Sequence, residues 1–178
     1  MRSSDLGCHA KRTSYKDARF VLVLLLALAT LLPLPTFASK SIDFKFTDVN
    51  GKSVCLSDFQ GKWVLVNFWA PWCPLCWLEV PILNELNKRK DFVVIGIGLD
   101  YGADESIIRE SVSRHNIDFQ AIVAGGSRHS SDSPFRQVGP VDFYPTSYLY
   151  DPTGAIVMFI PGQVKQNKLE AYMAKRYR

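Results

Sequence analysis

Side chains that ligate metals are scarce in this sequence. Its 178 residues include four cysteines and three histidines. Zinc sites usually combine two Cys or His pairs, but Cys73 and Cys76 form a CxxC pair with no second pair at suitable spacing. A haem attachment motif needs histidine directly after the second cysteine, where this chain has Trp77. Both metal-centred interpretations of the pair are therefore disfavoured.

A large excess of charge of one sign is also lacking. The formal net charge is +4, and the first 38 residues contain five basic and two acidic side chains. The remainder has 16 basic against 15 acidic residues. No nucleic-acid partner is therefore predicted. Repeats and low-complexity tracts are missing as well, and this length predicts one domain that can bury its own core.

The apolar run near the N-terminus is short for a membrane span. It covers residues 20–32, or 13 residues, whereas a spanning helix needs about 20. A basic stretch precedes the run, and Pro33, Pro35 and a small-x-small sequence ending at Ala38 follow it. This pattern predicts a signal peptide at residues 1–38 and an exported domain at residues 39–178, periplasmic in a Gram-negative bacterium. An uncleaved membrane anchor and an interior helix are the alternatives.

Apolar patterning in the remaining chain predicts an α/β domain. Strands are expected at residues 43–47, 63–69, 92–99, 119–123, 146–150 and 155–160. Helices are expected at residues 73–90, 103–116 and 166–177, with a loop at 124–133. This order predicts a central mixed β-sheet flanked by helices on both faces, with an N-terminal strand extension. Pro81 is expected to kink the first helix. Its apolar face is expected to contain Leu78, Ile82, Leu83 and Leu86.

The cysteine pair falls where a predicted strand gives way to a predicted helix. Unpaired amides and the macrodipole at a helix N-terminus favour thiolate at Cys73, with Pro74 tolerated in the first turn. Cys76 lies one turn deeper on the same face, where the two sulfurs can bond. Cys73 can then attack a partner's disulfide, and Cys76 can resolve the mixed disulfide. We predict a redox-active pair without any other cofactor or bound metal; a purely structural disulfide and a metal site stay open.

Four motifs carry a family resemblance. They are VNFWAPWCPLC from Val66, Glu79 followed by Pro81, Tyr144-Pro145-Thr146 before a strand, and YLYDPTGAIV from Tyr148 leading to Gly162 and a last helix. On these motifs, residues 42–178 resemble the thioredoxin superfamily, and most closely its periplasmic TlpA/ResA/CcmG branch. The resemblance implies the thioredoxin fold and a thiol–disulfide oxidoreductase activity.

The resemblance also implies roles for individual residues. Cys73 would be the exposed nucleophile, Cys76 the resolving thiol, and Pro145 would follow a cis peptide bond that faces the dithiol. Tyr144 would lend its backbone to an extended substrate segment. Substrate contacts are expected from Trp72, Pro74, Leu75 and Tyr144.

A carboxylate follows the pair on the same helical side. Glu79 lies three residues after Cys76 and, if partly buried, would accept its proton during resolution. A solvated helix glutamate is the alternative. Asn67 stands where cytoplasmic thioredoxins have a buried aspartate, which increases the importance of Glu79.

Four further side chains have less specific expectations. Trp77 is expected either to join Trp72 in a docking surface or simply to pack near the helix start. Cys55 is expected to be a buried, inert thiol, with a regulatory or third redox thiol as the alternative. His115 and His129 are expected at the surface.

Three functions remain open at this point. The leading one reduces disulfides in exported proteins, such as apocytochrome c or oxidase-assembly partners, with electrons from a transmembrane donor of the DsbD/CcdA type. The uncharged Leu75 favours a more reducing couple than that of DsbA. Pro74, shared with CPxC oxidants, supports a disulfide oxidant or isomerase instead. A copper-handling module that uses His129 with the two cysteines is the third.

Overall fold

The computed structural model describes residues 43–176. The predicted signal peptide and its cleavage site lie outside these residues and stay a prediction. The strands are β1 (Lys45–Thr47), β2 (Ser53–Cys55), β3 (Trp63–Trp69), β4 (Phe92–Gly98), β5 (Ala121–Ala124), β6 (Thr146–Tyr150) and β7 (Ile156–Pro161). The α-helices are α1 (Pro74–Asn87), α2 (Ser106–Arg114) and α3 (Gln166–Arg176), and Leu56–Phe59 and Pro134–Gln137 form short 3-10 helices.

Five strands form the central sheet in the order β5-β4-β3-β6-β7. β3 is parallel to β4, and β4 to β5, whereas β6 and β7 are antiparallel to their neighbours. Every residue of β3 is buried, as expected for a strand that is apolar on both faces. The predicted mixed sheet is confirmed.

The three α-helices cover one face of this sheet. Leu83 of α1 and Leu169 of α3 pack with Leu65 of β3, and Ile108 of α2 packs with Trp69. The connections β3–α1–β4 and β4–α2–β5 step in the same direction, so right-handed crossovers place both helices on the same side.

The opposite face of the sheet is covered differently. Phe46 and Val54 of a two-stranded β1–β2 hairpin pack there, together with Phe135 from the segment between β5 and β6. Helices were expected on both faces of the sheet. Within residues 43–176 all three α-helices lie on one face, and the opposite face has only the two short 3-10 helices. β2 was not predicted, because three residues are too few to show a period of two.

One predicted apolar face needs correction. Leu83 and Leu86 of α1 are buried and Ile82 is half-buried, but Leu78 is 66% exposed. The buried side of α1 instead includes Cys76 and Glu79. Pro81 lies inside the helix, and its kink stays a prediction. None of the helices in residues 43–176 is long and apolar enough to cross a bilayer.

Candidate active site

Cys73 and Cys76 form a disulfide at the start of α1, just after the end of β3. The sulfurs are 2.13 Å apart and the Cα atoms 5.4 Å apart. Cys73 is the N-cap residue, and Pro74 occupies the first turn, where its missing N–H costs no helix bond. The sequence prediction of a bonded pair at a helix start is confirmed.

The helix start provides a hydrogen-bond donor to the Cys73 sulfur. The backbone N–H of Cys76 donates to Cys73 Sγ at 3.2 Å. Unpaired amides and the helix dipole favour negative charge at this position. The same amide is therefore placed to stabilise the Cys73 thiolate once the disulfide is reduced, and a thiolate is the form that attacks disulfides.

Apolar side chains surround the two buried sulfurs. Cys73 is 4% and Cys76 is 2% exposed, so the expected exposure of Cys73 was wrong in this disulfide form. Trp72 and Leu75, in contrast, expose 58% and 53% of their surface. Pro74 between them is also exposed. The exposed side chains of Trp72, Pro74 and Leu75 thus form an apolar surface beside the two buried cysteines.

The peptide bond between Tyr144 and Pro145 is cis, as the resemblance implied. β6 begins directly after it and runs antiparallel to β3, so that Thr146 pairs with Phe68 at the end of β3. This pairing brings Pro145 to the sheet edge where the disulfide lies. Tyr144 packs against the apolar cluster that contains Cys73 and Cys76.

Glu79 is a buried carboxylate one turn after Cys76, with 1% of its surface exposed. Its Oε1 accepts a hydrogen bond from Asn67 Nδ2 at 2.8 Å, and its Oε2 accepts one from the Val164 N–H at 2.8 Å. Burial raises the pKa of Glu79, and these two hydrogen bonds only partly oppose that rise. The alternative of a solvated helix glutamate is therefore wrong, because the Glu79 carboxylate is buried and binds a proton more readily than an ordinary glutamate does.

Trp77 packs inside the domain rather than in a docking surface. Its ring lies 3.8 Å from that of His115, nearly parallel to it, and meets Trp69 edge-on at 5.3 Å. His115, which was expected at the surface, is partly exposed and forms one side of this stack; His129 is exposed as expected. Burial lowers the pKa of His115.

Two glycines of β4 make room for the indole of Trp69 behind the dithiol. A Cβ atom on Gly96 would lie 3.1 Å from Trp69 Nε1, and one on Gly98 would lie 3.1 Å from Trp69 Cζ2. Gly96 and Gly98 pair with Asn67 and Trp69 in register, so they share that face of the sheet.

Cys55 is half-buried, so its predicted burial was wrong. It ends β2, where Val54 points into the core and the alternating Ser53 and Cys55 point outward. Within residues 43–176, no three His, Cys, Asp or Glu side chains lie close enough together to hold a metal ion. The described residues thus offer no three-ligand copper site that joins His129 to the cysteine pair.

Two residues beside the dithiol were missed by sequence reasoning. Asp100 follows β4, and Arg128 lies in the loop after β5; they form an ion pair with a 3.1 Å separation. Tyr144 donates its hydroxyl to Asp100 at 2.8 Å. Burial, with this bond next in importance, raises the pKa of Tyr144 well above its ordinary value. The sequence places Asp100 and Arg128 in loops after β4 and β5 and Tyr144 in the loop before β6, but this order does not specify side-chain contacts.

This fold and this dithiol together define a thioredoxin-fold thiol–disulfide oxidoreductase. Residues 38–159 match the family model described as AhpC/TSA family, which is more than half of the chain. The chain therefore belongs to the AhpC/TSA family of the thioredoxin superfamily.

Known relatives agree with this assignment. The chain is 35% identical over 134 residues to thiol-disulfide oxidoreductase ResA of Bacillus cereus, covering 75% of this chain and 74% of the relative. ResA of Bacillus subtilis is 26% identical over 172 residues, covering 92% of this chain and 93% of the relative. The solved thioredoxin domain of a thiol-disulfide oxidoreductase from Bacteroides vulgatus is 27% identical with a TM-score of 0.59, over 79% of this chain and 99% of that one.

Proposed function

We propose that this protein reduces disulfides in exported proteins, working outside the cytoplasm. The observation that carries the proposal is the Cys73–Cys76 disulfide at a helix start, with an uncharged Pro74-Leu75 between its cysteines. A cation there would stabilise the Cys73 thiolate and make the couple oxidising. Because proline and leucine supply none, the reduced pair is comparatively reactive as an electron donor.

The reaction takes place in two exchange steps. The Cys73 thiolate attacks one sulfur of the target disulfide; a Cys73–target bond forms, and the other target cysteine leaves as a thiolate and takes a proton from solvent. Cys76 then transfers its proton to Glu79, and its sulfur attacks Cys73. The Cys73–Cys76 bond forms as the second target cysteine leaves. Two electrons pass from the protein to the target.

Exposed groups at the site would bind the target. Trp72 and Leu75 offer apolar surface, and the backbone beside the Tyr144–Pro145 cis bond offers hydrogen-bonding groups to an extended segment. Candidate targets are disulfide-containing exported proteins, such as apocytochrome c or oxidase-assembly partners.

Electrons must come from outside the domain for repeated turnover. The disulfide that remains after each reaction needs a reductant, and a transmembrane donor of the DsbD/CcdA type would supply it across the membrane. The signal-like segment at residues 1–38 supports export to the periplasm, or attachment to the inner membrane if the segment stays uncleaved.

Equilibration of the purified domain with glutathione buffers tests the direction of transfer. We expect a potential well below the value of about −120 mV typical of DsbA. Insulin reduction should be lost in Cys73→Ser and retained in Cys55→Ser, which changes a thiol outside the site. A potential near that of DsbA would contradict the reductant, and unchanged activity in Cys73→Ser would contradict the dithiol mechanism.

A trapping experiment identifies the target. Cys76→Ala removes the resolving thiol, so that the Cys73–target mixed disulfide should accumulate in cells and be recoverable by non-reducing purification. Cys73→Ala, which removes the attacking thiol, is the matched control and should recover none of the same partners.

Pro74 favours a second candidate, a disulfide oxidant or isomerase on the same fold. Proline at this position is shared with CPxC oxidants. The redox state of the pair in whole cells separates the two, because a reductant is held mostly as the dithiol and an oxidant mostly as the disulfide. Alkylation of free thiols before lysis measures that state.

A further inference from the structure

Asp100 connects the three loops that surround the dithiol. Its N–H donates to Gly126 O at 2.8 Å, in the loop after β5. Its carbonyl oxygen accepts the indole N–H of Trp72 at 3.2 Å. Its carboxylate accepts the hydroxyl of Tyr144 at 2.8 Å. One residue thus bonds to the loop before α1, the loop after β5 and the loop that carries the cis peptide bond.

Arg128 fixes the Asp100 carboxylate in this position. Its backbone N–H donates to Asp100 Oδ1 at 2.9 Å, and its Nε lies 3.1 Å from Oδ2. The guanidinium lies 5.0 Å from the centre of the Tyr144 ring and donates to Asp142 O at 3.1 Å. The Asp100 and Arg128 side chains are only 17% and 23% exposed, so solvent screens the pair weakly.

Two of the bonds of Asp100 go to aromatic side chains, Trp72 and Tyr144, in the loops beside the dithiol. Trp72 and Tyr144 contact each other edge-to-face at 5.5 Å, and both bond to Asp100. Trp72 is nevertheless 58% exposed, so much of its surface stays available to a partner although its indole N–H is bonded.

The backbone of Asp100 is itself unusual. Its φ of 53° lies in the left-handed region, which non-glycine residues rarely adopt. Aspartate and asparagine tolerate this region best, because their short polar side chains can hydrogen-bond locally. Here the left-handed turn directs the carbonyl to Trp72 and the carboxylate to Tyr144, so both contacts come from a single residue.

We propose that Asp100 is a positioning residue that holds Trp72 and the Tyr144–Pro145 loop as a preformed docking surface for protein disulfides. It does not act on the sulfurs themselves. A surface that is already ordered binds a target protein more tightly than a mobile one, because side chains and loops that become immobilised on binding cost free energy. This proposal rests on the docking of targets at Trp72 and Tyr144 that the proposed function assumes.

Asp100→Asn tests the proposal with little change in shape. Asparagine tolerates the left-handed backbone, keeps one acceptor oxygen and removes the charge that pairs with Arg128. Loss of a hydrogen bond to a charged group predicts that KM for insulin rises about tenfold. We expect kcat, the redox potential and the exchange rate with bis(2-hydroxyethyl) disulfide to stay unchanged, since a small disulfide does not use the docking surface.

Tyr144→Phe provides a second variant that removes only the hydroxyl bond to Asp100. It should raise KM for insulin in the same way and keep the test decisive if Asp100→Asn fails to fold. Both variants break the same bond. The double variant should therefore raise KM for insulin by less than the product of the two single increases. Asp118→Asn is the matched control, because Asp118 is exposed at the opposite end of β5 and hydrogen-bonds through its backbone.

Three results would overturn the proposal: an unchanged KM in Asp100→Asn, an equal loss with insulin and with the small disulfide, or a shifted potential. A failure of the proposed function is seen separately, because it appears as an oxidising potential in the unsubstituted protein. In that case the same comparison, run as oxidation of a reduced protein substrate, still tests whether Asp100 positions the docking surface.

Discussion

The side-chain amide of Asn67 donates a hydrogen bond to the buried carboxylate of Glu79 at 2.8 Å. It joins the central strand of the sheet to the helix that begins at the disulfide. The Val164 N–H bonds the second carboxylate oxygen, so Glu79 is held from both sides. The carboxylate is fixed, dry and one helical turn from Cys76, and these properties suit a proton acceptor for the resolving thiol.

Glu79→Gln should slow resolution of the mixed disulfide while leaving its formation unchanged. Without the carboxylate, the Cys76 thiol loses its proton to water, and we expect resolution at pH 7 to fall roughly 100-fold. The deficit should shrink as pH approaches the ordinary thiol pKa of about 8.5, where Cys76 ionises without help. Acid-quenched time courses with a protein disulfide measure the two steps separately.

Glu85→Gln is the control for this experiment, since Glu85 lies on the same helix but is exposed and pairs with Lys88. It should resolve mixed disulfides at the unsubstituted rate. Equal rates in Glu79→Gln and the unsubstituted protein at pH 7 would remove Glu79 from the mechanism.

The raised pKa of Glu79 also predicts how folding stability depends on pH. A carboxyl whose pKa is higher in the folded state binds its proton more tightly there, so its ionisation costs stability above the folded-state pKa. That cost should disappear as pH falls below the ordinary value of 4.5. The unfolding free energy of the oxidised protein should therefore rise relative to Glu79→Gln as pH falls from 7 towards 4.5.

Urea denaturation of both proteins across this range measures the difference. Aspartates with lowered pKa, such as Asp91 and Asp151, lose their stabilising contribution at lower pH in both proteins, so the difference isolates Glu79. A difference that does not change between pH 4 and pH 7 would contradict a raised pKa.

The strands and the disulfide could be predicted because their determinants are local. β3 is a continuous apolar run, and its predicted bounds at residues 63 and 69 match the structure. The CxxC spacing alone places two sulfurs on one helical turn, and the structure bonds them. Burial of β3 follows from its own residues, since the strand is apolar on both faces.

The remaining features depend on contacts between distant segments. Leu78 fits an apolar helical face by spacing, but the buried side of α1 is shifted towards Glu79. The Asp100–Tyr144 bond joins residues 44 positions apart, and no local pattern predicts it. Cys55 was expected to be buried from its residue type, although its strand position turns it outward.

Asn67→Asp should destabilise the protein, and more strongly at pH 7 than at pH 5. The substitution replaces a donor by a second carboxylate beside Glu79, and two close carboxylates cannot both ionise. We expect a loss of about 1–3 kcal/mol at pH 7 from the broken bond and the repulsion. At lower pH one of the two carboxylates is protonated and can donate a hydrogen bond to the other. Part of the lost unfolding free energy should then be recovered.

Ser147→Ala is the control that separates the effect of the added charge in Asn67→Asp from the effect of a lost hydrogen bond. Asn67 also donates to Ser147 Oγ at 3.0 Å, and the alanine removes that acceptor without adding charge. Its effect on the unfolding free energy should be the same at pH 5 and pH 7. A pH-independent loss in Asn67→Asp as well would show that repulsion with Glu79 is absent.

Gly98→Ala tests the packing behind the dithiol. A Cβ atom there would lie 2.5 Å from Ile108 Cδ1 and 3.1 Å from Trp69 Cζ2, inside normal contact distance. We expect a loss of roughly 1–3 kcal/mol in unfolding free energy from this overpacking. Ile108→Val removes the clashing Cδ1 atom and alone should cost about 1 kcal/mol. Because the added methyl can occupy the freed space, the double variant should be more stable than the sum of the single losses predicts. Simple additivity in thermal or urea unfolding would mean that the strain comes from Trp69 rather than from Ile108.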